Sequence, residues 1–273
     1  MILFRSLRVC LGLTTVVAVS SLQPWSSRAE TQLSAENIIQ KALARAQQAE
    51  ATSDQHNYTY TKVSLTEELD SSGKLRERQE KVYQVYFQSG STHVNLLEVN
   101  GHRPAPADVR KQTDNDSSLR QLLGQPKSAT GDNRESFLTP DLVAHFDFRL
   151  LDETRLNNRP AYRISFQPKA SPVVGHRMVD RLLGRISGTL WIDSTEFEVA
   201  RVDVRLGSEV DILGGMVGCL KKLAYTMIRI RVADGVWLNS FSSADLEGRK
   251  LLDSLRIKTK SQSSNFRPLQ MNW

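Results

Sequence analysis

"GTLWIDSTEFEVARVDVRL", Gly188 to Leu206, consists of two alternating stretches joined by a short polar turn. In the first, Ile186, Gly188, Leu190 and Ile192 share one parity, and Ser187, Thr189, Trp191 and Asp193 share the other. Beyond the turn, Ala200, Val202, Val204 and Leu206 alternate with Val199, Arg201, Asp203 and Arg205. Side chains along a strand point to opposite faces in turn, so this pattern is that of a hairpin with one apolar face and one charged face. Asp193 and Glu196 read as turn punctuation and solvent-face charge rather than a catalytic pair, because Asp, Ser and Thr side chains bond the local backbone in turns. Trp191 falls opposite Leu190 and is expected outside the main apolar layer.

The same alternation continues in both directions. Downstream, Ala224, Ile228, Ile230 and Val232 alternate with Arg229 and Arg231. Asp234-Gly235 then turns the chain into "VWLNSFSSADL", followed by "KLLDSLRIKTK". Upstream, "NYTYTKVSLTEELDSSGKLRERQEKVYQVYFQSG" reads as two long strands joined at Gly73, with a bulge expected near Lys62 where the apolar phase slips. "STHVNLLEVNG" supplies a third strand ending at Asn100-Gly101, and "FRLLDETRLNNRPAYRISFQPK" a hairpin turning at Asn157-Asn158.

Helical spacing is found in three places. After Ser34, a capping residue, come Ile38, Ile39, Ala42, Leu43, Ala46 and Ala49. Thr139-Pro140 opens a second helix with Leu142, Val143 and Phe146 inward, and Met178, Val179, Leu182 and Leu183 line a third. Successive one-sided strands with short turns predict an α+β protein, an antiparallel meander whose apolar face is covered by these helices.

The first residues are a separate matter. Basic Arg5 and Arg8, an apolar run from Val9 to Leu22, and small Ser27 and Ala29 have the layout of a cleavable secretory signal ending near Ala29. The expected organisation is therefore residues 1–29 as signal and 30–273 as one exported, periplasmic domain, with 104–134 holding a short helix at 108–112 and a mobile loop at 114–133. Removing Cys10 with the signal leaves Cys219 alone, which excludes an intramolecular disulfide. The formal charge falls from +6 to +3 once Arg5, Arg8 and Arg28 leave. With Lys and Arg dispersed among acidic neighbours, nucleic acid is not an expected partner.

No catalytic or metal-binding spacing is found. His56, His93, His102, His145 and His176 are scattered with no i, i+4 pair, so no metal or cofactor is expected. "LGGMVGCLKK" at 213–222 lacks the Gly-Lys-Ser/Thr ending of a phosphate loop, and its glycines suit a bulge or bend. Asn57-Tyr58-Thr59 matches a glycosylation sequon at the start of a strand. The expectation is a monomeric protein that is not an enzyme.

"SGTLWIDSTEFEVARVDV" followed by "GVWLNSFSSADLEGR" resembles paired segments of exported bacterial proteins in the LolA/LolB-like lipoprotein-carrier superfamily. The likeness spans roughly Tyr58 to Lys260 as a pattern. The resemblance implies a strongly curved, incompletely closed antiparallel sheet, an open half-barrel with helices over its concave face, holding lipid or lipoprotein acyl chains without covalent chemistry. Leu190, Ile192, Val202, Val204, Ile228 and Ile230 are then the candidate cavity wall; the same residues equally suit a filled core. In that alternative the chain is an envelope interaction module, with Arg201, Arg205, Arg229 and Arg231 forming a basic outer face for an anionic protein or membrane surface. Two features depart from the group: the mature chain lacks an N-terminal lipidation cysteine, and it carries the 104–134 segment.

Overall fold

A computed structural model describes residues 33–51, 58–88, 91–107, 138–170, 178–212, 218–250 and 253–269. The expected signal, the short helix at 108–112, the loop at 114–133, the opening glycines of the 213–222 stretch and the asparagine of the sequon lie outside them.

The opening stretch forms β6 (Ile186–Asp193) and β7 (Val199–Leu206), paired from Ile186↔Leu206 to Ile192↔Val199. Around them the chain forms β1 (Tyr58–Leu69), β2 (Leu75–Gln88), β3 (Ser91–Val99), β4 (Phe146–Leu156) and β5 (Arg159–Pro168). It continues with β8 (Val210–Ile212), β9 (Gly218–Ala233), β10 (Val236–Lys250) and β11 (Asp253–Pro268). All join one antiparallel sheet in the order β3-β2-β1-β11-β10-β9-β7-β6-β5-β4, with β8 paired to β9 off that path. The sheet is curved and open, ending at β3 and β4, and with the helices below it makes the fold α+β.

The expected turns lie where the local chemistry put them. Asn100 and Gly101 have φ of 50° and 75°, and Asn157 and Asn158 have 50° and 65°. Two consecutive left-handed residues make the turn whose twist matches flanking strands. At the β1–β2 turn the Asp70 carboxylate accepts from the backbone N–H groups of Ser72 and Lys74, both at 2.9 Å. The expected bulge near Lys62 is found between Thr59 and Thr61 in the β1–β11 register. That pairing was not expected: it joins the N-terminal hairpin to the last strand, extending the meander at its far side.

α1 (Ala35–Ala51), α2 (Pro140–His145) and α3 (Met178–Leu183) are the three expected helices. Ser34 Oγ accepts from Asn37 N at 3.2 Å, and Thr139 Oγ1 from Leu142 N at 3.2 Å, so both predicted caps are made. α1 buries Ile38, Ile39 and Ala42 in a core with Ile164, Phe166, Leu190, Ile192, Val202 and Met227, which Leu182 and Leu183 of α3 and Leu142 and Val143 of α2 flank. Fully burying a side chain of this size contributes about 1.5–3 kcal/mol, so this layer is the main source of cohesion.

One row of directly paired residues crosses ten strands: Leu150, Ile164, Leu190, Val202, Met227, Ser242, Ser261, Ser64, Lys81 and Val99. Paired residues share a face, so the helix-covered face changes from aliphatic to hydroxyl-bearing between β9 and β10. The apolar core therefore occupies the β4–β9 half of the sheet. Ser64, Ser242 and Ser261 on the other half are only half-buried.

Candidate functional site

Leu190, Ile192, Val202 and Val204 lie together on the helix-covered face, all at 5 % exposure or less. They pack against one another and α1 as a filled core. Ile228 and Ile230 do not join them. The β7–β9 register pairs Val202 with Met227 and Arg201 with Ile228. Ile228 thus shares the outer face with Arg201 and Trp191, and Ile230 has the same parity on that strand. The sequence reading placed both isoleucines inward because their partners in alternation were arginines.

The basic outer face is corrected by the same register. Arg229 is 4 % exposed on the inner side, where Nη1 donates to Glu198 Oε2 at 2.7 Å and Nη2 to the Trp237 carbonyl at 2.8 Å. Arg201 does lie outside, over the Trp191 ring at 4.8 Å, but Asp203 takes its charge through bonds of 3.2 and 2.9 Å. Trp191 is outside the main apolar layer, as expected.

The unexpected feature is a polar cluster at the turn end of β6–β7 and β9–β10. Asp193 is 1 % exposed. Its Oδ1 accepts from the N–H groups of Thr195 at 3.0 Å and Glu196 at 2.9 Å, which makes it the turn punctuation the sequence suggests. It also receives a two-pronged bond from Arg159, Nε to Oδ2 at 2.6 Å and Nη2 to Oδ1 at 3.0 Å. Glu196 is not solvent-face charge. Its Oε2 accepts from Trp237 Nε1 at 2.7 Å and its Oε1 from Arg231 Nε, with Arg159 Nη2 3.5 Å away. From α1, Arg45 reaches Glu198 at 3.2 Å and also donates to the Gly235 carbonyl. The Arg159 guanidinium lies 5.5 Å from the centre of the Trp237 ring.

Between these side chains is a cavity of about 140 Å³, lined among others by Arg159, Arg229, Arg231, Asp193 and Trp237. β7 and β9 pair only from Arg201↔Ile228 to Arg205↔Ala224. Past the end of that ladder Ala200 and Ile230 line the cavity. Nothing local in the sequence marks this cluster. The ion pairs on Asp193, Glu196 and Glu198 join residues at least 31 positions apart, and only the sheet order brings them together.

Burial by itself pushes the Asp193 carboxyl up. The bonds from Arg159 and from the N–H groups of Glu196 and Thr195 outweigh it and hold the group below its ordinary value. A carboxylate more acidic in the folded than the unfolded chain stabilises fully above the unfolded pKa of about 4 and loses that contribution as pH falls through the depressed native value. Asp193→Asn keeps the turn acceptor but not the charge. Urea unfolding from pH 6 down to pH 2 is expected to show a shallower acid-side loss in the variant than in the wild type.

Among the described residues there is no group of three or more His, Cys, Asp or Glu that could hold a metal ion. No described helix is long and apolar enough to cross a membrane. Cys219 is buried on β9.

No family model and no curated protein matches this chain. Solved structures do. A domain from Vibrio parahaemolyticus, described as an outer membrane lipoprotein-sorting domain, aligns over 86 % of this chain and 95 % of its own at 11 % identity and a TM-score of 0.38. A LolA superfamily protein from Nitrosomonas europaea aligns over 88 % and 95 % at 12 % identity and 0.34. One chain of the MucA/MucB complex of Pseudomonas aeruginosa aligns over 84 % of this chain and 98 % of its own at 10 % identity and a TM-score of 0.25. The LolA-like group that the sequence resembles is thus represented among them. Every TM-score here is below 0.5, and no ligand or partner is carried over from these structures.

Proposed function

We propose that the chain is an exported, non-catalytic binding protein, a carrier or sensor that takes up the acyl chain of a lipid or lipoprotein between the sheet and its helix layer. The observation that carries this reading is the thinness of the cover over the aliphatic half of the face. Ile164, Leu190, Ile192 and Val202 are all at 0 % exposure, yet two of the three helices over that face, α2 and α3, are six residues long. Helices this short hold little structure of their own and depend on packing, so the layer over the sheet can open at modest cost. An acyl chain replacing α1 side chains would meet the same aliphatic surface and need no polar partner along its length. With Arg229 buried on the inner side and Arg201 paired to Asp203, two of the four arginines of the alternative basic docking face are not free to serve it.

The test is titration of the delipidated chain with a fluorescent long-chain fatty acid, alongside native mass spectrometry of the protein from its own periplasm. Saturable uptake of one chain per protein is expected. Ile39→Ala, in α1, should lower stability by about 2–5 kcal/mol and speed uptake by loosening the cover. A protein that is empty from the periplasm and takes up no probe would overturn the reading.

A further inference from the structure

We propose that the cavity at the turn end of β6–β7 and β9–β10 is a clamp for the carboxylate head group of an acyl ligand. The proposal rests on the binding-protein reading above and adds the charge and chemical class of the ligand.

Three observations carry it. The first is charge. Four guanidiniums, Arg45, Arg159, Arg229 and Arg231, converge on three carboxylates, Asp193, Glu196 and Glu198. The remaining acidic partner, Asp234 on Arg231, is 98 % exposed, and water screens it. Asp234 aside, the guanidiniums outnumber the carboxylates by one, and Arg159, Arg229 and Arg231 all line the cavity.

The second is an unmet donor. Arg229 is 4 % exposed with both terminal nitrogens committed, and its buried Nε–H has no acceptor. A buried donor left without a partner costs about 1–3 kcal/mol; this Nε is sealed from the cavity, so a ligand oxygen relieves that cost only if the guanidinium turns as the ligand binds. The third is the wall. The cavity's 140 Å³ is about the volume of four or five waters, room for a carboxylate and a few carbons. Ala161, Ala200, Leu156 and Ile230 provide apolar lining beside the arginines. An apolar monoanion fits this mixture better than a phosphate, which brings more charge than the deficit and no use for the aliphatic side.

The Trp237 indole N–H, a member of the cluster, is the reporter. In ¹H–¹⁵N spectra, with its signal assigned through Trp237→Phe, hexanoate is expected to shift it saturably. Methyl hexanoate should need at least tenfold higher concentration. Arg231→Gln, whose side chain is 30 % exposed in the wild type, should bring hexanoate down to the ester's affinity and leave the ester unchanged, with its thermal midpoint measured alongside. Arg159→Lys, which keeps a charge beside Asp193, should reduce hexanoate affinity less. Equal shifts from acid and ester, equal shifts from inorganic phosphate, or no shift would each overturn the clamp. A long-chain probe that is not taken up while hexanoate still shifts Trp237 would sink the acyl-carrier reading and leave the clamp standing. Long-chain uptake without acid-over-ester preference would do the reverse.

Discussion

Glu198→Ala is expected to cost about 3–5 kcal/mol of stability, because it leaves the Arg229 guanidinium buried without its counter-charge. Both groups are 4 % exposed, and Arg229 Nη1 to Glu198 Oε2 is 2.7 Å. Arg45→Ala, which removes the second cation on Glu198 from a position 18 % exposed, should cost less, about 1 kcal/mol. The double variant Glu198→Leu/Arg229→Met removes both charges and should recover part of the single-variant loss. Recovery stays partial because the Trp237 carbonyl loses the Nη2–H that it accepts at 2.8 Å. Urea unfolding of the wild type and these three variants at pH 7 measures the differences. A Glu198→Ala loss under about 1 kcal/mol, the range of an exposed pair, would mean that the cluster is solvated.

Gly188→Ala is the second large effect. Gly188 stands between Phe166 and Val204 in the inner face of the sheet. A Cβ there would lie 1.9 Å from the Asp203 carbonyl oxygen and 2.7 Å from Cζ of Phe166. The ring could turn aside, but the carbonyl belongs to β7 and cannot move without breaking its pairing. Forcing a methyl into such a site costs about 3 kcal/mol or more. For a chain of this size that corresponds to a fall of about 6–12 °C in Tm. Gly184→Ala is the control, since its Cβ would meet nothing closer than 3.6 Å and should change stability by less than about 0.5 kcal/mol. Equal thermal midpoints for the two variants would show that β6 and β7 do not approach as closely as described.

These two positions differ in how far the sequence announces them. Gly188 sits in a strand whose alternation is plain, so its face is legible, while the carbonyl it must avoid belongs to the neighbouring strand. Glu198 and Arg229 carry no local signal, and Arg229 was expected on the outside. A charged residue alternating with isoleucines looks solvent-facing until a counter-charge from another hairpin is brought against it. The same cause moved Ile228 and Ile230 to the outer face. Asp193 was read correctly as a turn residue, because the N–H groups of Thr195 and Glu196 that it caps are its near neighbours in the chain.

The sequence by itself determined what depends on neighbours a few residues apart. These are the hairpin turns at Asn100-Gly101, Asn157-Asn158 and Asp234-Gly235, the caps at Ser34 and Thr139, and the two-residue alternation that makes each strand one-sided. Tertiary structure alone decided which parity of β9 meets the core, that β1 pairs with β11, and that four arginines and three carboxylates surround one cavity. Alternation has a period but no sign. The sign comes from the register against another strand, and register is set by pairing energies between segments that the linear order keeps far apart.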